Sequence, residues 1–184
     1  MLRLKPNQVI RRYTSQNGTE VIIRTPCISD LDDMLQFIND LVEEQAMILA
    51  NKKMSRKDES KWLRGLLLKM KNGDIIQLSA EVDGHVVGTA EIKQKVLREE
   101  HVGILGISIS KRYRNLGIGK VLIAELIRLS KKKGLKLITL EVFETNSRAL
   151  HVYTSMGFVK RGVIPKHIRY KNRYVGSVQM SLEL

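Results

Sequence analysis

The sequence is poor in cysteine, in proline, in aromatic residues and, over its second half, in acid. A single cysteine, Cys27, among 184 residues excludes an internal disulfide and points to a reducing compartment, so a cytoplasmic location is expected. Cys27 follows a strand-ending proline with no activating context, which reads as inert packing. Three prolines are present, and no linker, repeat or low-complexity segment interrupts the chain. One domain over 1–184 is therefore expected. Aromatic residues make up 5%, and no zinc, helix–turn–helix or base-stacking pattern is visible, which argues against a nucleic-acid-binding module. No run approaches the roughly 18 apolar residues of a membrane span. The first residues, Met1 to Pro6, lack the apolar stretch of a secretory leader.

Acid is the most unevenly distributed absence. Residues 1–100 carry 16 Lys+Arg against 15 Asp+Glu, whereas residues 101–184 carry 16 against 4, so the second half holds nearly all of the +13 net charge. A polyanionic ligand is expected there.

What is present reads as alternating strands and helices. Val9 to Tyr13 and Glu20 to Arg24 flank the turn signal Asn17-Gly18. Ser29 reads as the cap of a helix with acid in its first turn and an apolar stripe of Leu31, Met34, Leu35, Ile38, Leu41 and Val42. A second helix starts near Ser55, buries Trp62, Leu63, Leu66, Leu67 and Met70, and stops at Asn72-Gly73. Ile75 to Val82 and Val86 to Gln94 form a hairpin around Asp83-Gly84. Glu99 to Ser110 reads as the next strand and Leu135 to Val142 as a central one. Asn146 to Met156 reads as a short helix. Phe158 to Ile164 and Tyr174 to Leu182 read as closing strands, with Tyr174, Val178, Met180 and Leu182 on one face. Lys131 to Lys133 complement the dipole of the helix that ends at Gly134. This order gives a mixed α/β (α+β) fold with helices packed on a sheet.

Between the strand ending at Ile109 and the helix around Val121 to Leu129 stands Arg114-Asn115-Leu116-Gly117-Ile118-Gly119-Lys120. Glycine lets a ligand approach the backbone, and a helix start offers free amides and partial positive charge. Together they suit phosphate. Arg112, Arg114 and Lys120 add charge. Downstream stand Glu141 in a strand and the helical set Asn146, Ala149, Leu150, Tyr153 and Met156, followed by Gly157-Phe158. Singly, Asn146 reads as a helix cap and Tyr153 as core.

Jointly, Arg114-x-x-Gly117-x-Gly119 and Asn146-x-x-Ala149-x-x-x-Tyr153-x-x-x-Gly157-Phe158 resemble the GCN5-related N-acetyltransferase (GNAT) superfamily. Small prokaryotic members are the nearest in kind, among them ribosomal-protein N-terminal acetyltransferases. The tight match covers about residues 101–160. The resemblance implies a mostly antiparallel twisted sheet flanked by helices, acetyl-CoA as the donor and a primary amine as the acceptor. It further implies that the backbone of Ile107, Ser108 and Ile109 pairs with the pantetheine arm. The amides of Asn115, Leu116, Gly117, Ile118, Gly119 and Lys120, beside Arg114, would hold the pyrophosphate. Asn146 would meet the cofactor arm, Tyr153 would protonate the departing thiolate, and Glu141 would take the amine's proton. Glu81 and Glu91 are alternative bases on neighbouring strands. A protein N-terminus or a lysine is the favoured acceptor, and a small-molecule amine or polyamine is the alternative. Neither a metal nor a membrane is implied, and a homodimer would be in keeping with the superfamily. An acidic first helix and a basic last loop (Lys166, His167, Arg169, Lys171, Arg173) would border the acceptor. A non-catalytic acyl-CoA sensor would keep the cradle without turnover. A Rossmann dinucleotide site fails, because Leu122 stands where a third glycine is required.

Overall fold

A computed structural model describes residues 4–15 and 17–184. The first three residues of the N-terminal stretch read above lie outside the described residues. One sheet of eight strands runs in the order β1-β2-β3-β4-β5-β6-β8-β7. The strands are β1 (Val9–Thr14), β2 (Glu20–Arg24), β3 (Ile75–Val82), β4 (His85–Gln94), β5 (Val102–Ile109), β6 (Leu137–Phe143), β7 (Val159–Tyr170) and β8 (Arg173–Glu183). The helices are α1 (Leu31–Glu43), α2 (Arg56–Asn72), α3 (Ile118–Lys133) and α4 (Ser147–Ser155). Every strand pair is antiparallel except β5 with β6.

Strand alternation gives the sheet two unlike faces. One face carries Leu78, Ala90, Ile92, Leu105, Ile138, Leu140, Val178 and Met180, which pack with Ile118, Leu122, Leu126 and Leu129 of α3 into the main core. The ring of Tyr153 on α4 belongs to it and meets Phe158 edge-on at 5.8 Å. The other face carries α1 and α2, whose Met34, Leu63, Leu66 and Met70 cluster on Ile75. Beyond that cluster the second face is polar.

Local chemistry sets the element ends. Ser55 accepts the Asp58 amide at 3.1 Å and caps α2. Gly73 and Gly134 close α2 and α3 with φ of +87° and +94°, a conformation glycine adopts without penalty.

Several expectations are corrected. Ser29 does not cap α1. A 3-10 turn, Ile28–Asp30, precedes the helix, and Asp30 accepts the Cys27 amide at 2.9 Å. Phe37, outside the expected stripe, is buried, while Leu35 and Ile38 are only partly covered. The strand expected from Glu99 begins at Val102, because a 3-10 turn occupies Leu97–Glu99. The last hairpin runs on to Tyr170 and Arg173. Its outer part projects past the core, so Tyr174 is exposed rather than sharing the buried face of Val178 and Met180. Trp62 is 44% exposed. It stands at the rim of the α2 stripe, above the polar face.

Candidate active site

The β5–β6 pair opens the sheet. Val102, Gly103 and Ile104 pair with Leu137, Ile138 and Thr139, and there the pairing stops. Leu105 to Ile109 keep their partners on β4, while their β6-facing edge carries no strand. Backbone groups on that edge are free to bind an extended, amide-bearing ligand as an added strand. The expected positions Ile107, Ser108 and Ile109 all lie on it.

The free edge leads into the glycine stretch. After a 3-10 turn at Lys111–Tyr113, Asn115 takes φ +65° and Gly117 φ +81°, and α3 starts at Ile118 with no side chain capping its amides. A Cβ on Gly119 would meet only the Ile107 Cδ1, at 3.8 Å. Packing therefore does not require glycine at 119; the missing side chain keeps open the space in front of the free amides. An uncapped sixteen-residue helix with a clear approach fits a pyrophosphate. Lys111, Arg112 and Lys120 are exposed around it.

Arg114 is committed elsewhere. Its Nε donates to the Ile109 carbonyl at 2.9 Å, and its guanidinium pairs with Glu44, just past α1. It ties the cradle to the α1–α2 connection and shares its charge with a carboxylate.

Across the opening, Asn146 caps α4, its Oδ1 accepting the Ala149 amide at 3.1 Å. Tyr153 is 8% exposed, and burial pushes its phenol up to about 12. The phenol therefore stays protonated at neutral pH and has a proton to give. Glu141 lies on β6 on the polar face, half exposed; the Ser177 hydroxyl donates to its Oε2 at 3.3 Å, and the His167 Nδ1 stands 3.8 Å from that oxygen.

The two alternative carboxylates separate clearly. Glu81 pairs with Arg24 at 2.5 Å, and Arg24 also grips Asp30 with two hydrogen bonds, at 2.8 and 2.7 Å. That buried trio is structural. Glu91 instead lines a cavity of about 170 Å³ with Trp62, Gln77, Thr89, Ala90, Gly106, Ile107 and Ser108. Burial pushes its carboxyl above the usual range, partly opposed by Lys93 and Lys69. The cavity touches the same β5 residues whose free edge faces β6.

The carboxylates of the acidic first helix have partners within the chain, although Asp32, Asp40 and Glu43 stay exposed. Asp30 is held by Arg24, Asp32 by Arg56, Asp33 by His85 and the Val86 amide, Asp40 by Gln36, Glu43 by Lys53 and Glu44 by Arg114. The basic hairpin stays exposed. Its Tyr170 hydroxyl donates to the Gln45 carbonyl at 2.7 Å, and its ring meets Phe143 edge-on at 5.4 Å. The hairpin thus reaches across the polar face to the α1–α2 connection.

Sequence reasoning placed the cradle, Glu141 and Tyr153 around one opening. It missed Trp62, Gln77 and Gly106. A usable signal was the alternation Ala90-Glu91-Ile92, which turns Glu91 away from the core. Trp62 gave no such signal, because it borders a genuine buried stripe.

The model of the acetyltransferase (GNAT) family matches residues 35–158. The chain belongs to the GNAT family. Its relatives agree in kind. The Escherichia coli L-amino acid N-acetyltransferase is 34% identical over 110 residues, spanning 58% of this chain and 67% of that one. The Haemophilus influenzae [ribosomal protein bS18]-alanine N-acetyltransferase is 32% identical over 109 residues, 57% and 72%. A GNAT superfamily phosphinothricin acetyltransferase from Sinorhizobium meliloti, solved in complex with acetyl-CoA, has the same fold, with TM-score 0.77 and 18% identity over 89% of this chain and 88% of that one. This GNAT protein is an acyl-CoA-dependent N-acetyltransferase, and acetyl-CoA is the family's acetyl donor. Among the described residues, no helix is long and apolar enough to cross a membrane.

Proposed function

We propose that the protein moves the acetyl group of acetyl-CoA directly to a primary amine of a peptide or protein, at an N-terminus or a lysine side chain, in the cytoplasm. The observation that carries the acceptor class is the charge left over at the polar face. Asp32, Glu43 and Glu44 are each matched by a cation within the chain, and Asp40 meets the neutral Gln36, whereas Lys166, Arg169, Lys171 and Arg173 on the hairpin remain exposed without a carboxylate partner among the described residues. An exposed basic border suits an acceptor with acidic residues near the amine, and it disfavours a polyamine.

The shape of the opening supports direct transfer. The free edge of β5 holds the donor in the plane of the sheet, and the polar face leaves the amine a separate approach. Acetyl-CoA supplies an activated acyl group when bound; the chain supplies position and proton handling. The amides from Asn115 to Lys120 hold the pyrophosphate and the β5 edge orients the pantetheine arm, as Asn146 does from the other side. Orientation of this kind is a large part of catalysis. Tyr153, kept neutral by burial, donates to the sulfur as negative charge develops there. A carboxylate serves the amine side, where a proton has to leave, and Glu141 on β6 and Glu91 on β4 both stand on the polar face. An α-amine, with a pKa of about 8, is partly neutral at pH 7, and a lysine, near 10.4, is almost wholly charged, so a lysine acceptor depends more on such a carboxylate.

An L-amino acid is the second reading, because its carboxylate would also suit the basic hairpin. Thiol release from acetyl-CoA, measured with acidic and basic peptides, L-amino acids and spermidine, separates them. Acidic peptides should give the highest kcat/KM. A preference for spermidine or for basic peptides would refute the acceptor assignment.

A further inference from the structure

The cavity on the polar face follows a transverse row of residues. Gln77 pairs with Glu91, and Glu91 with Gly106. Paired residues share a face, so one row reads Gln77, Glu91, Gly106, and it ends where the sheet opens. The glycine stands at the strand opening with the Glu91 carboxylate beside it.

Three features make this row a site. First, Glu91 leans over the glycine: a Cβ at position 106 would lie 3.4 Å from both its Cγ and its Oε1. Any larger residue at 106 would crowd the hollow. Second, Gln77 is 3% exposed and its Oε1 has no hydrogen-bond partner. A buried acceptor left unsatisfied is costly unless a ligand donates to it. Third, the half-exposed indole of Trp62 forms part of the wall. One amide acceptor, a carboxylate and an aromatic face select a small group that carries N–H donors and positive charge.

We propose that the hollow bounded by Trp62, Gln77, Glu91 and Gly106 receives the acceptor's reacting ammonium group, and that Glu91 is the first acceptor of its proton. This rests on the acetyl-transfer reading and adds the residue that meets the amine, with Glu141 a half-exposed carboxylate on the far side of the opening. One proton passes from the ammonium to the Glu91 carboxylate, freeing the nitrogen's electron pair. That pair forms the bond to the acetyl carbonyl carbon. The carbon–sulfur bond breaks, and its electron pair leaves on sulfur, which takes a proton from Tyr153. The amide nitrogen sheds its second proton, which restores Tyr153, and Glu91 returns the first proton to water. The charged groups around Glu91 are Lys69 on α2 and Lys93 on β4. Burial raises the Glu91 carboxyl above its ordinary value against the pull of both lysines, which makes its carboxylate a stronger base.

Trp62 is the only tryptophan in the chain, so intrinsic fluorescence reports on the hollow without turnover. Titration with n-butylammonium should give a saturable change, and butan-1-ol should not. Glu91→Gln should weaken the ammonium response at least about tenfold, the loss expected when a carboxylate facing a bound cation becomes neutral. An equal response to the alcohol, or an unweakened one in Glu91→Gln, overturns the site. The second readout is the pH dependence of kcat/KM with an acidic peptide. Glu91→Gln should lower the rate on the order of a hundredfold or more and remove the limb set by the carboxyl. Glu141→Gln should keep that limb. A Glu91→Gln enzyme with the parent rate and pH profile overturns the proton role. Failure of the parent protein to release thiol with any amine refutes the acetyl-transfer reading instead, and leaves the fluorescence result to decide the ammonium site.

Discussion

The proposed donor side and the proposed acceptor side of the opening are built in opposite ways. The donor side is mostly backbone: the free edge of Leu105 to Ile109 and the uncapped amides at the start of α3, all within one continuous stretch. The acceptor side is mostly side chain: Trp62 from α2, Gln77 from β3, Glu91 from β4 and Glu141 from β6. Backbone geometry tolerates change in the residues around it, so a donor site of this kind can persist while its neighbours vary. A site assembled from side chains on four elements can be retuned one residue at a time. The contrast teaches that the two sides should respond differently to mutation.

The largest effect is expected on the donor side. A bulky residue at Gly119, as in Gly119→Trp, should abolish measurable acetyl-CoA binding by calorimetry and leave the thermal midpoint nearly unchanged, since only Ile107 lies near the new side chain. Retained binding would break the cradle assignment. Next comes Tyr153→Phe, which should lower kcat by about 10² or more, as for loss of a general acid, with acetyl-CoA affinity nearly kept. Unchanged turnover would remove the acid role.

Smaller effects test how the sides are joined. Glu44→Ala leaves the Arg114 guanidinium without its carboxylate. The pair is mostly shielded from solvent, so a loss on the order of 1–2 kcal/mol is expected in denaturant unfolding, between the values for exposed and buried pairs. Glu91→Gln tests stability with the opposite sign. In the unfolded chain the Glu91 carboxyl ionises near 4.5, and in the fold burial delays ionisation to higher pH. Through that window the unfolded state has shed a proton that the folded state retains, so stability falls as pH rises. Glu91→Gln should lack this fall and melt higher than the parent at pH 8. An unchanged difference between pH 4 and pH 8 would show that the carboxylate is not strained by burial. A variant that is more stable and less active separates a functional carboxylate from a structural one.

The same contrast explains what the sequence made legible. The glycine stretch, the Asn146–Tyr153 spacing and the helix caps are local patterns, and they mark the proposed donor side and most element boundaries. The row Gln77-Glu91-Gly106 exists only once strand registers are known, and no local pattern encodes register between strands. Trp62 illustrates the limit: helical spacing admitted it to a buried stripe, and only packing showed it at the rim. The acidic run of α1 reads as unpaired in the sequence because its partners, Arg24, Arg56, Lys53 and Arg114, are scattered through the chain.

The central claim is that this GNAT protein acetylates the primary amine of a peptide bearing acidic residues. The direct measurement pairs thiol release from acetyl-CoA with mass analysis of one acidic peptide, offered once with a free amine and once with that amine blocked. One acetyl group should appear per thiol released, on the free amine alone. Thiol release without acetylated peptide, or equal release from the blocked peptide, would contradict the account.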